Sequence, residues 1–119
     1  MLSYSKYRAK KTEVGGIVFD SLKEAKRYKE LVLLERSGEI KRLILQPRFL
    51  IQDKFKYNNK TERAIHYVAD FMYTDKTGAK FVEDVKGVKT AEYKLKRKLF
   101  IKKYCFDEKG NEIIKFIET

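Results

Sequence analysis

The stretch from Asp70 to Lys86, which reads Asp-Phe-Met-Tyr-Thr-Asp-Lys-Thr-Gly-Ala-Lys-Phe-Val-Glu-Asp-Val-Lys, constrains this chain more than any other. Ala64 to Tyr73 is rich in β-branched and aromatic residues, as strands are, and Lys80 to Val85 reads the same way. Between them, Lys76-Thr77-Gly78 has the form of a three-residue hairpin loop. The last residue of such a loop is left-handed, where glycine is least strained. If Asp75 and Ala79 close the loop, Asp70 falls opposite Asp84 and Val68 opposite Lys86. Opposed residues on one face have Cβ atoms roughly 4.5–5.5 Å apart. Asp84 and Lys86 share a face because strand side chains alternate, and Glu83 points to the other. A four-residue loop would instead set Glu83 opposite Asp70.

Two carboxylates opposed across a strand pair repel and destabilise the sheet. Either one of them is solvated at a strand end, or a divalent cation compensates for the pair. Oxygen ligands suit Mg²⁺ or Mn²⁺. A zinc site is not expected, because His66 and Cys105 are the single histidine and cysteine and have no ligand spacing. In a chain of formal net charge +11, two acids and a lysine on one face point to chemistry on a phosphate backbone.

The length of 119 residues fits one domain with a real core, and an apolar share of 43% argues against disorder. There are 28 Lys and Arg against 17 Asp and Glu, so a polyanionic partner is the default. No apolar run approaches 18 residues, and neither a secretory nor a lipidation pattern is present, so no membrane association is expected. A lone Cys105 cannot form an internal disulfide, which suits a reducing cytosol and a small buried residue.

Residues 1–12 read as a basic N-terminal arm carrying Lys6, Arg8, Lys10 and Lys11, and residues 13–119 as a single domain. Gly15-Gly16 marks a turn before a short strand, Ile17-Val18-Phe19. Ser21 and Glu24 have the spacing of a capping box, which by itself explains Glu24. The helix they open carries Leu22, Ala25, Tyr28, Leu31, Val32 and Leu34 at helical spacing and stops at Gly38. Leu43 to Gln52 is a strand whose Pro47 implies an edge or a bulge. Gln46, between apolar neighbours, reads as a buried glutamine that either supports a site or bonds nearby backbone. Asn58-Asn59 is a turn into the strand bearing His66 and Asp70. Thr90 caps a second helix, about Ala91 to Tyr104, with an apolar face of Ala91, Leu95, Leu99 and Phe100 flanked by Tyr93 and Ile101. Its remaining surface is crowded with Lys94, Lys96, Arg97, Lys98, Lys102 and Lys103, and Glu92 is its only acid. Like charges this dense cost stability, which favours phosphate binding over mere solvation. A last strand, Glu112 to Ile117, comes after a helix and is expected to join its neighbour in parallel.

The order helix, three strands, helix, strand, with Ala69-Asp70-Phe71 on the second core strand and Glu83-Asp84-Val85-Lys86 on the third, resembles the PD-(D/E)XK nuclease superfamily. Ala69 stands where the motif's name has proline. The resemblance implies an α/β, restriction-endonuclease-like αβββαβ core with a mixed central sheet flanked by helices. It also implies a place for Glu24 as a further acid, and Gln46-Pro47 looks like the Gln-Pro of transposon-end endonucleases in the superfamily. The phrases around Ser5–Tyr28, Leu45–Phe49 and Ala69–Phe100 are similar to a family of small uncharacterised bacteriophage proteins.

In function, the resemblance implies a Mg²⁺- or Mn²⁺-dependent DNA endonuclease, structure-specific for branched DNA such as Holliday junctions, acting in phage recombination or replication in the bacterial cytoplasm. Asp70 and Asp84 would hold the metal, with the Val85 carbonyl and Glu24 adding ligands and Lys86 placing water or stabilising charge. Gln46 would support the site. Lys6, Arg8, Lys10, Lys11, Lys89, Lys94, Arg97 and Lys98 would bind DNA. Paired cuts require two sites, hence a homodimer, with Tyr4, Tyr7 or Phe106 near its interface. The competing readings are a catalytically silent DNA-binding accessory of the same fold and an RNA-binding protein.

Overall fold

The computed structural model describes residues 11–119. Lys6, Arg8, Lys10, Tyr4 and Tyr7 therefore lie outside the described residues, and Lys11 is exposed just ahead of the first strand. β1 (Thr12–Val14) and β2 (Ile17–Phe19) pair across Gly15-Gly16. Helix α1 (Leu22–Arg36) then begins at Ser21, whose Oγ accepts the Glu24 N–H at 3.0 Å. It stops where Gly38 turns left-handed, with φ 84°. Two bonds close its end, Gly38 N–H to Glu35 O at 3.1 Å and Glu39 N–H to Leu34 O at 2.9 Å.

The inner face of α1 is centred on Glu24, Ala25, Tyr28 and Leu31. Leu22, expected on that face, is 64% exposed. At roughly 100° per residue it lies more than about 100° from the centre of the buried face. Apolar spacing alone passes over Glu24, a charged residue that turns inward.

Then come β3 (Ile40–Leu45), β4 (Arg48–Gln52), β5 (Phe55–Tyr57), β6 (Lys60–Glu62), β7 (Ile65–Val68), β8 (Phe71–Asp75), β9 (Lys80–Asp84), α2 (Ala91–Tyr104) and β10 (Ile114–Glu118). The main sheet has the order β10-β9-β8-β3, with β10 parallel to β9 and the other pairs antiparallel. The molecule is thus mixed α/β, with two helices and a largely antiparallel sheet. The parallel docking of the last strand is as expected.

Each of the two long strands expected at 43–52 and 64–73 is broken in the middle. Gln46 takes φ 50°, and Pro47 comes next with no N–H to give a ladder. On the facing chain the break falls at Ala69-Asp70. Pairing bridges the gap through Gln46 N–H to Asp70 O at 2.9 Å and Ala69 N–H to Pro47 O at 3.1 Å. Beyond it, β4 and β7 form their own two-stranded ladder, bulged between Leu50 and Gln52. Val68 consequently pairs with Arg48, not with Lys86.

Two buried clusters form the core. Phe19, Ala25, Leu31, Ile40, Phe71, Tyr73 and Val85 pack with α1. Tyr67, Ala69, Val82, Phe100, Cys105 and Ile114 pack with α2. The face of α2 differs from the expected one. Phe100 is buried and Tyr93, Arg97 and Tyr104 are half-buried, whereas Leu95 is 58% and Leu99 40% exposed. Tyr93, Arg97, Phe100 and Tyr104 recur at helical spacing, and the aromatic members stack on Phe49 and Tyr67. Among the described residues, no helix is long and apolar enough to cross a membrane.

Candidate active site

The hairpin loop has the expected length. Asp75 N–H bonds Ala79 O at 2.9 Å, and Gly78 takes φ 94°. The Asp75 carboxylate braces the loop by accepting from Thr77 N–H and Ala79 N–H. The ladder then runs from Thr74 opposite Lys80 to Phe71 opposite Glu83, the register that carries Asp70 toward Asp84. Asp70 stands at the chain break, where its side chain is freed from the strand's alternation. Its Oδ2 accepts the Val85 N–H at 2.7 Å.

Asp84 is fully buried. Its Oδ2 accepts the Tyr67 hydroxyl. The Lys86 ammonium lies 3.0 Å from Oδ1 but off a hydrogen-bonding direction. Oδ1 therefore has a positive charge beside it and no hydrogen bond among the described residues. Lys86 in turn sits over the Tyr93 ring, 4.6 Å from its centre.

Burial, then a hydrogen bond and repulsion from Asp84, push the Asp70 carboxyl up to about 8 from an ordinary 3.8. Glu24 is 7% exposed, and its carboxyl is raised by burial first, then by Asp20 and Asp84, with Lys86 opposing. Glu24, Asp70, Asp84 and Lys86 are thus within electrostatic reach of one another. The Tyr67 hydroxyl is pushed far above its usual range by burial and by Asp84, so it stays a donor.

An oxygen-liganded divalent cation fits this donor set. Half-buried Asp70 and fully buried Asp84 crowd two carboxyls together with Lys86 as the one nearby cation shown among the described residues, and Oδ1 of Asp84 lacks a hydrogen bond. The Val85 carbonyl accepts no hydrogen bond among the described residues, while its N–H is taken by Asp70. No group of three or more His, Cys, Asp or Glu converges as a metal cluster among the described residues. Asp70 and Asp84 are the nucleus, with Glu24 beside them.

Gln46 is exposed, contrary to the buried glutamine expected. What it contributes is backbone, the left-handed turn and the N–H that bonds Asp70 O. Glu83 lies on the opposite face, fully buried. Arg27 holds it through Nε at 2.6 Å and Nη2 at 3.0 Å, Tyr73 through its hydroxyl at 2.8 Å, and Thr119 at 3.2 Å.

Residues 4–118 match the model of a family described as "Protein of unknown function (DUF1064)". The chain belongs to this family. No curated protein matches it, and no solved structure does. All four acid and lysine positions of the site fall inside the DUF1064 match.

The basic residues of this DUF1064 domain divide into two kinds. Lys94 and Lys98 are exposed on α2. Lys89 and Arg97 instead approach Glu118 of β10, at 3.5 Å and 3.2 Å, and Tyr93 also donates to Glu118. Between β7 and the start of α2 lies a cleft of about 340 Å³ lined by His66, Tyr67, Val68, Thr90, Glu92, Tyr93 and Lys96. His66 faces Arg48, with Nδ1 3.2 Å from Nη2. Sequence reasoning missed Tyr67, because an unbroken strand would turn it away from Asp70. The available signal was Pro47, which pairs with Ala69 and interrupts both chains at once.

Proposed function

We propose that this chain is a metal-dependent endonuclease of the PD-(D/E)XK kind that hydrolyses phosphodiester bonds in DNA. The observation that carries the reading is the pairing of half-buried Asp70 with fully buried Asp84, with Lys86 3.0 Å from Asp84. The order α1, β3, β8, β9, α2, β10, with β10 parallel to β9, supports a restriction-endonuclease-like core. The net charge of +11 supports a polyanionic substrate.

Asp70 and Asp84 would hold Mg²⁺ or Mn²⁺, with Glu24 and the Val85 carbonyl completing the oxygen set. The ion, when bound, supplies polarisation of the scissile phosphate and a more acidic water. Tyr67 fixes the orientation of Asp84 through Oδ2, while Oδ1, which faces Lys86 and accepts no hydrogen bond among the described residues, would be the one offered to the cation. The Val85 N–H fixes Asp70 in the same way. Lys86 acts as a positive charge beside developing negative charge on the phosphate, in a partly water-excluded site. With carboxylates beside it, Lys86 serves better as a charge than as a base.

The substrate class in this reading is branched DNA, handled by a homodimer in the bacterial cytoplasm during phage recombination or replication. One site cuts one phosphodiester at a time, and a two-fold pair supplies the second. Phe106, 42% exposed, is the described apolar residue proposed for the dimer face. The test is a nicking assay on linear, flapped and four-way DNA with Mg²⁺, with Mn²⁺ and with chelator, using Asp84→Asn as the control. Metal-dependent cuts lost in Asp84→Asn support the reading, and equal cutting by both proteins overturns it.

A further inference from the structure

The β5–β6 hairpin projects from the domain with neither face covered. Every residue from Gln52 to Arg63 is exposed, including Phe55 at 48% and Tyr57 at 64%. An isolated two-stranded hairpin is only marginally stable in water. This one is well set up locally. Asn58 and Asn59 both take left-handed φ, 49° and 62°, as the tightest hairpin turn requires. Its base is braced, since Lys103 and Tyr104 of α2 donate to the Leu50 carbonyl at 3.1 Å and 2.8 Å.

The two faces of the ribbon differ in kind. Opposed residues share a face, so Phe55 with Glu62 and Tyr57 with Lys60 make one side. Lys56 with Thr61 makes the other. Lys54 and Arg63 are exposed where the chain enters and leaves the ribbon, so three cations stand along it. None of the three cations makes an ion pair among the described residues. The ribbon follows β4 and β7 in the chain, separated from each by two residues. At about 3.3 Å per residue, Arg63 lies at most roughly 23 Å from Asp70, and Thr61, opposite Lys56, at most roughly 30 Å, within one turn of duplex DNA. A two-stranded ribbon also fits the major groove of a duplex.

We infer that the β5–β6 ribbon is an arm that grips duplex DNA within one helical turn of the cut site, with Lys54, Lys56 and Arg63 on phosphates. This rests on the nuclease reading for its choice of DNA, and its test is kept independent of cleavage. The Asp84→Asn protein, with and without Lys54→Gln, Lys56→Gln and Arg63→Gln together, is titrated with a labelled 30-base-pair duplex (the 30-mer) over a salt series. Thermal melts check that the exposed substitutions leave folding intact. On the 30-mer, the triple change should flatten the salt slope by up to about 2.7 and weaken binding about tenfold or more. Replacing Lys54 and Lys56 by Arg should keep the slope. An unchanged slope on the 30-mer overturns the arm, as does tight duplex binding lost only through Phe55→Ser and Tyr57→Ser. Cleavage by the otherwise wild-type chain is scored separately. A protein that loses slope but never cuts keeps the arm and refutes the nuclease reading.

Discussion

The Tyr67 hydroxyl donates to Oδ2 of Asp84, tying a residue of the α2-side core to the buried acid at the end of β9. Removing that donor leaves a buried carboxylate one bond short. Tyr67→Phe should cost about 1.5–3 kcal/mol in urea unfolding and slow cleavage with little change in DNA affinity. Unfolding midpoints equal to wild type would show that the bond carries no weight.

Asp70 sets a pH dependence. Its folded carboxyl holds a proton to about pH 8, while the unfolded chain releases it near 3.8. Between these values the folded state binds more protons, so stability without metal should fall as pH rises from about 4 to about 8. Glu24, also raised, adds to the same trend. Asp70→Asn keeps an acceptor for the Val85 N–H but cannot ionise. It should be the more stable protein at pH 9 and show a shallower slope. Chelator-treated unfolding at pH 5, 7 and 9 measures this, and a wild type that gains stability with pH contradicts it.

Asp70→Asn and Asp84→Asn should each reduce cleavage by roughly 10²-fold or more. DNA binding should be retained by both, and be slightly tighter for Asp70→Asn above about pH 8, where the wild-type carboxyl is ionised. Gel-shift and single-turnover cleavage on the same preparations separate the two effects. Full cutting by both variants removes them from the site.

Glu24→Gln leaves the Ser21 Oγ bond to the residue 24 N–H intact, since that N–H is backbone. Glutamine also cannot ionise in this buried place, so stability at neutral pH should equal or slightly exceed that of wild type. Activity at low Mg²⁺ should drop strongly, because one nearby negative charge is gone. Unchanged turnover across a Mg²⁺ titration would return Glu24 to the helix cap.

Lys94 and Lys98 are exposed, whereas Arg97 faces Glu118. Lys94→Gln with Lys98→Gln should flatten the salt slope of DNA binding by up to about 1.8. Arg97→Gln should mainly lower stability and shift the slope less. Identical slopes for the double variant and wild type would mark that face as merely solvated.

Much of the site was legible in the chain. Gly78 in a three-residue loop fixed the register that carries Asp70 toward Asp84, and Ser21 and Gly38 bounded α1 within a residue. Pro47 signalled an irregularity in its strand, but the full breaks at Gln46-Pro47 and Ala69-Asp70 were not legible, because each half still reads as strand. Once the chain turns there, alternation no longer predicts which side chains meet, so Tyr67 was invisible. The face of α2 was misread for another reason. Leucines carry the periodic signal, but the large rings of Tyr93, Phe100 and Tyr104 fill the space over Phe49 and Tyr67, leaving Leu95 and Leu99 outside.

Glu83 and Asp84 are adjacent acids, and Phe81 and Val82 before them are adjacent apolar residues. A slip of β9 by one position would exchange the two faces, yet still set a carboxylate toward the site and an apolar side chain toward each core. Charge and hydrophobicity alone barely distinguish the two frames. The difference lies on the far side of the sheet, where Arg27, Tyr73 and Thr119 all close on the longer acid. Arg27, on a helix and bonded to Glu83 through two nitrogens, thus helps to set which of two neighbouring acids faces the proposed site.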